Sequence, residues 1–270
     1  MDDAQLSTND LVGSQSVDRA LRLLALVGRE AEHGAQLSDI VEESGLNKPT
    51  ARRLLLALMR AGLIEQETQT RRYYLGEEAY VLGTLASRRH GLLELSMESL
   101  RNLSEVTLDT SFISVRRGNY AVCLHREEGT YPVRTHALQI GNQHPLGIGA
   151  GSLAMLAALH DDEIEHVLAA NRKVLETQYA SYSTEQIRED IAKTREHGYS
   201  LNPGRIFAGS WGLGAAIRFP DGRVAGALSI AAIDSRMTAE RQPELAFHMK
   251  IEVDRVEGKL RKMFISSRGI

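Results

Sequence analysis

The sequence predicts an α+β protein of two domains, a small N-terminal winged helix-turn-helix and a larger C-terminal domain in which helices cover a sheet. Three observations carry this. The 270-residue length exceeds what one core usually serves. Residues 16–75 read as short amphipathic helices followed by a hairpin. From residue 111 onward, strand-like runs joined by turn dipeptides alternate with capped helices.

Residues 1–14 are polar and Asp-rich and are expected to form a disordered tail. Val17, Ala20, Leu21 and Leu24 then recur at helical spacing and predict a first helix with Ser16 as its N-cap. A second helix starts at Ser38, carries Ile40 and Val41, and stops at Gly45, a residue type that tolerates the left-handed conformation ending a helix. Asn47 caps a third helix over 48–61, which buries Ala51, Leu54, Leu55 and Leu58 and turns Arg53 and Arg60 outward. Residues 63–66 and 72–75 are the strands of a wing around the polar loop 67–71. The first domain is therefore expected over 15–76.

Residues 77–105 are expected to form a linker helix broken near Gly91, because Gly83 and Gly91 each cost about 1 kcal/mol in a helix interior. The second domain, 106–270, opens with strands at 111–116 and 120–126 around a Gly118-Asn119 turn. A small-residue loop at 149–159 runs into a helix, a further helix covers 161–170, and Ser183-Thr184-Glu185-Gln186 has capping-box spacing. Strands at 212–219 and 223–231 are joined by Pro220-Asp221-Gly222. Leu245, Met249, Val253, Val256, Leu260 and Met263 step along a closing helix.

The formal net charge of −3 argues against coating nucleic acid by bulk charge, so cationic surface must be sought locally. It is found on the third helix. Between Asn47 and Arg72 there are six basic residues against Glu65 and Glu67. A major groove about 12 Å wide admits one helix, and its phosphates demand cations on the exposed side. Asn47, Lys48, Thr50, Arg52 and Arg53, at or near the helix start, are the candidate base and phosphate readers, with Arg71 and Arg72 on the wing. Double-stranded operator DNA is the expected partner.

Enzymatic and metal-binding readings find little support. Cys123 is the only cysteine and sits mid-strand, where a thiol is usually a small core residue. This also fits a cytoplasmic protein with no disulfide. No run of about 18 apolar residues suggests a membrane span. Ser152 and Ser210 lie near glycines without making Gly-x-Ser-x-Gly, and the histidines lack ligand spacing; Asp162 and His166 share a helix face as a surface pair. No catalytic residue, metal ligand or cofactor is assigned.

The stretches SQSVDRALRLLALV, LSDIVEESGLNKPTARRLLLALMRAGLIEQ followed by RRYYLGEEAYVLG, HPLGIGAGSLAMLAAL and GRVAGALSIAA, spaced along the chain from Ser14 onward, resemble the IclR family of bacterial transcription regulators. The resemblance implies a GAF-like effector domain after the linker, assembly as dimers or tetramers on palindromic operators, and a small-molecule effector. In the family the effector sits between a loop preceding a helix and the ends of the last strands. That loop corresponds here to Gly149, Ala150, Gly151 and Ser152, whose amides suit a carboxylate. Glyoxylate-type sensors place an acidic residue, a cysteine and a Ser-x-Ser pair around the ligand; the corresponding positions are Asn202, Gly212, Ser229 and Ala231, where the acid, the thiol and the second hydroxyl are lost and only Ser229 remains. The lost volume implies an aromatic or medium-sized acid as effector. Trp211, Phe207, Tyr131 and Phe112 are candidate apolar walls, and His144 or Arg134 a polar contact. A Rossmann loop is disfavoured, since the third glycine is missing and His144-Pro145 precedes the loop instead of a strand. The alternative readings are an enzyme and a GAF-like sensor that does not act on DNA.

Overall fold

In the computed structural model the described residues, 10–30, 33–135 and 138–268, form two compact units that divide between His90 and Gly91. The first comprises α1 (Asp10–Arg29), α2 (Leu37–Ser44), α3 (Lys48–Arg60), β1 (Ile64–Gln66), β2 (Tyr73–Leu75) and α4 (Glu77–His90). Gly45 ends α2 at φ 66°, and its N–H donates to the carbonyls of Val41 and Glu42. The tight turn that follows delivers Asn47 to the start of α3.

The core of this unit gathers Leu23, Leu26 and Val27 of α1, Ile40 of α2, Ala51, Leu54, Leu55 and Leu58 of α3, and Ile64 and Tyr73 of the hairpin. The first helix corrects the sequence reading twice. It is already helical at Asp10, so Ser16 lies inside it, and residues 10–14 of the expected tail are helix. Residues 1–9 of that tail lie outside the described residues. Ser14 spends its hydroxyl on Asp18, one turn along at 3.1 Å, not on a cap. The stripe that meets the core is also shifted. Val17 and Leu21 are 58% and 53% exposed, because burial is confined to the C-terminal half of α1, where α2, α3 and β2 pack.

The second unit comprises α5 (Leu92–Thr107), β3 (Thr110–Arg117), β4 (Tyr120–Glu127), β5 (Gln143–Pro145), α6 (Ala150–Ala157), α7 (Asp161–Gln178), α8 (Thr184–His197), β6 (Ser200–Pro203), β7 (Ser210–Arg218), β8 (Val224–Ile233) and α9 (Gln242–Arg268). The strands form one six-stranded sheet in the order β5-β4-β3-β8-β7-β6, with every described pairing antiparallel. Helices cover both faces. Strand alternation divides the side chains: Leu213 and Ile217 of β7 and Leu228, Ile230 and Ala232 of β8 pack under α5 and α9, while Ala227 joins α6, α7 and α8.

Leu100 and Leu103 of α5 are fully buried in the first of these layers. The expected linker over 77–105 is thus two helices of different kinds, interrupted at Gly91: α4 is exposed along residues 80–86, whereas α5 belongs to the core of the second unit. Two short strands, β5 and β6, escaped the sequence reading, and β5 contains the His144-Pro145 pair that had been taken for non-strand. Pro145 is tolerated because β5 is an edge strand, where a missing N–H breaks no second ladder. Among the described residues no helix is long and apolar enough to cross a membrane.

Candidate functional site

Two candidate sites lie in the two units. In the first unit the start of α3 is defined by its cap: Asn47 Oδ1 accepts from the Thr50 N–H at 2.9 Å, and Pro49 falls in the first turn, where an N–H has no intrahelical partner to lose. The buried stripe then leaves Asn47, Lys48, Arg52, Arg53 and Arg60 exposed and Thr50 half-buried. None of these cations has a carboxylate partner among the described residues, so their charge is available to an external anion.

The wing treats its two arginines differently. Arg71 is exposed at φ 60°, a conformation that costs a non-glycine residue about 1–3 kcal/mol. Its carbonyl is held by Gln66 Nε2 at 2.7 Å. Arg72 is half-buried and donates from Nη1 to the carbonyls of Gly34 at 2.8 Å and His33 at 3.3 Å, tying the wing to the segment before α2. Arg72 therefore serves the fold of this unit, while Arg71 stands free with the α3 cations.

In the second unit a cavity of about 70 Å³ lies between α6 and the sheet. All eight residues singled out for an effector line it: Gly149, Ala150 and Gly151 at the start of α6, Asn202 of β6, Trp211 and Gly212 of β7, and Ser229 and Ala231 of β8. The sheet register explains the clustering, since Gly212 lies opposite both Asn202 and Ala231, and Gly214 opposite Ser229. Phe112 and His144 also line the cavity. Tyr131, Arg134 and Phe207 do not: Tyr131 lies 3.8 Å beneath the Arg236 guanidinium, Arg134 pairs with Glu128, and Phe207 is exposed.

Among the described residues no side chain caps α6 at Gly149, whose own N–H meets the Tyr182 hydroxyl, so the helix start presents the amides of residues 150–152 to a ligand acceptor. Ser152 is not part of that offer, because its hydroxyl donates to the Pro145 carbonyl and accepts from the Gly147 N–H, both at 3.1 Å. Asn202 accepts the Tyr182 hydroxyl proton at 2.7 Å on its Oδ1. Among the described residues no Asp, Glu, Lys or Arg lines the cavity. Gly212 lines the cavity, and α6 passes close to it: a Cβ on this residue would lie 3.1 Å from the Cβ of Ala150.

Cys123 also lines this cavity, 2% exposed, and burial pushes its thiol up to about 12. The thiolate is the reactive form, so iodoacetamide at pH 8 should modify Cys123 in the folded protein roughly a hundredfold or more slowly than a free thiol of pKa about 8.5. Mass spectrometry against a urea-unfolded control measures this; equal rates would show that the site opens freely. Asp162 and His166 are both exposed on α7, and among the described residues no cluster of three His, Cys, Asp or Glu could hold a metal ion.

Comparison with known proteins bears on both sites. Residues 16–68 match the IclR helix-turn-helix domain, and residues 84–256 match the model described as bacterial transcriptional regulator IclR C-terminal. The transcriptional repressor IclR of Escherichia coli K12 is 27% identical over 232 residues, covering 85% of this chain and 84% of that protein. The crystal structure of an IclR transcriptional regulator from a Silicibacter species superposes with a TM-score of 0.76 at 29% identity, covering 91% of this chain and 96% of that one. An IclR homologue from Microbacterium hydrocarbonoxydans, solved in complex with 4-hydroxybenzoate, shares the fold at a TM-score of 0.72 and 20% identity, over 92% of this chain and 100% of that one.

Proposed function

The chain belongs to the IclR family, as a transcriptional regulator with a helix-turn-helix DNA-binding domain and a C-terminal effector domain, and from that premise we propose that it is switched by a compact organic acid. The observation that carries this reading is the chemistry of the cavity. Its polar groups include the first-turn amides of α6, the Ser229 hydroxyl and the Asn202 amide, set among apolar walls such as Phe112, Ile206 and Trp211 without any charged side chain among the described residues. Donors converging at a helix N-terminus stabilise a carboxylate, and apolar walls select the body that carries it.

The cavity also bounds that body. At about 70 Å³ the space is roughly half of the 150 Å³ that holds a benzene ring, so it takes a few heavy atoms as it stands and a ring only if its walls move apart. A benzoate-like acid fits the apolar lining better than a two-carbon acid. The 4-hydroxybenzoate bound by the Microbacterium homologue is an acid of this class.

DNA recognition is assigned to Asn47, Lys48, Thr50, Arg52 and Arg53 with Arg71 on the wing, and Arg72 contributes by holding the wing in place. Self-association as a dimer or tetramer is assigned to α4, whose Tyr80, Leu82 and Leu85 are 75%, 49% and 63% exposed. Its 14 residues are near the length at which an isolated helix is marginal in water, so a partner surface stabilises it.

Fluorescence anisotropy against DNA from the region upstream of its own coding sequence tests the whole reading. Binding should weaken steeply as salt rises, and benzoate or 4-hydroxybenzoate should change the affinity while raising the melting temperature. DNA binding that is absent or indifferent to salt would overturn the DNA assignment. Stabilisation by glyoxylate alone would overturn the compact-ring reading of the effector.

A further inference from the structure

Behind one wall of the cavity stands the turn between α7 and α8, and it is here that a buried polar atom is left over. Nδ1 of His144 lies 3.0 Å from the Tyr179 hydroxyl, with the two rings edge to face at 5.9 Å. The other ring nitrogen, Nε2, is buried and has no hydrogen-bond partner among the described residues. His144 lines the cavity on β5. A buried polar atom without a partner is costly and uncommon, so a site that keeps one implies an occupant that satisfies it.

The protonation of the pair follows from its surroundings. Burial lowers the imidazole pKa and raises that of the phenol, so at neutral pH an uncharged ring faces a protonated hydroxyl. A phenol has one proton to give. Given to Nδ1, it leaves the proton of the imidazole on Nε2, as a donor. The same turn treats Asn202 in the same way, since Tyr182 donates to Oδ1 and leaves the amide NH2 without a partner among the described residues. Two tyrosines on one turn thus orient two donor groups of the cavity.

We propose that His144 is a ligand-reading residue of the cavity, its Nε2–H donating to an acceptor on the bound acid, with Tyr179 as the positioning residue that selects the ring tautomer. The assignment rests on the acid reading above and narrows it. The α6 amides take the carboxylate and His144 takes a second acceptor, so the favoured class is an acid carrying a further hydroxyl, carbonyl or carboxylate oxygen.

Matched acids separate this from simple shape selection. Calorimetry with benzoate and 4-hydroxybenzoate, and with propionate and pyruvate, should show one pair in which the acid with the extra oxygen binds about tenfold tighter, the worth of one good hydrogen bond. His144→Leu should abolish that preference, and His144→Gln, which restores an N–H donor, should recover part of it. In nitrogen-15 spectra the free protein should show the Nε2–H tautomer at His144, and Tyr179→Phe should mix the two tautomers without a comparable loss of stability. An acid that binds without moving the His144 ring signals, or a preference that survives in His144→Leu, would overturn the His144 assignment alone. Failure of all four acids to bind would overturn the acid reading and this assignment with it.

Discussion

Replacing Arg52 and Arg53 together with alanine is expected to lower operator affinity by roughly a hundredfold or more, since a base-reading arginine contributes about 1–3 kcal/mol and a phosphate contact adds about one to the salt slope. Both side chains are exposed near the start of α3, free of carboxylate partners among the described residues. Their removal takes nothing from the core, so the melting temperature should stay within the small range of ordinary surface substitutions. Acid binding in the second unit should be untouched. Arg72→Ala is the informative contrast, because it deletes the bonds to the carbonyls of His33 and Gly34. That variant should lose stability in the first unit and bind DNA less well only through a loosened wing. Operator affinity unchanged in the double variant, measured by anisotropy at two salt concentrations, would mean that α3 is not the reading helix.

Gly214→Ala should be strongly destabilising although it adds one methyl group. In a strand interior this change is ordinarily favourable by about 0.5–1 kcal/mol through the unfolded chain. Here the new Cβ would sit 2.8 Å from the carbonyl carbon of Ala150 and 2.9 Å from its oxygen and from the Gly151 nitrogen. Those atoms are helix backbone and cannot rotate aside, so α6 must retreat from the sheet. Overpacking of this kind costs about 1–3 kcal/mol, and backbone displacement places this site at the upper end. The amides that face the cavity belong to the displaced turn, so acid binding should fall with stability. Gly212→Ala, whose Cβ is pressed most closely by the Ala150 methyl at 3.1 Å and meets no backbone atom nearer than 3.6 Å, should be milder. Urea unfolding of the three proteins ranks them; a Gly214→Ala protein as stable as the parent would show that α6 is not held against the strand.

Both sites show how far residue patterns reach. At α3 almost everything needed was local: the cap at Asn47, the apolar positions and the outward arginines lie within a few turns, and helical periodicity converts spacing directly into facing. The same periodicity failed on α1, where Val17 and Leu21 belong to a valid amphipathic stripe yet stay exposed, while the core takes Leu23, Leu26 and Val27 further along the helix. Arg71 and Arg72 were equivalent as neighbours in sequence. Only the fold brought the carbonyls of His33 and Gly34 to Arg72 and left Arg71 free.

In the second unit the family resemblance brought Asn202, Gly212, Ser229 and Ala231 together before any register was known, and the pairing of β6, β7 and β8 supplies the physical reason for their proximity. How much volume the missing side chain at Gly212 leaves depends on a neighbour distant in sequence, since a Cβ there would meet the Cβ of Ala150 at 3.1 Å. The short edge strand β5 offered no alternation long enough to read, and with it the setting of His144 stayed hidden.

What the amino-acid sequence by itself determined is the kind of protein: a capped, cationic third helix with a wing, then a helix-covered sheet, each written in residues close along the chain. What only the tertiary structure decided is which groups remain available for binding. Arg72 Nη1 and the Ser152 hydroxyl are bonded within the fold, whereas among the described residues Arg71 has no carboxylate partner and His144 Nε2 has no hydrogen-bond partner. Availability depends on partners distant in sequence, and those partners exist only once the chain has folded.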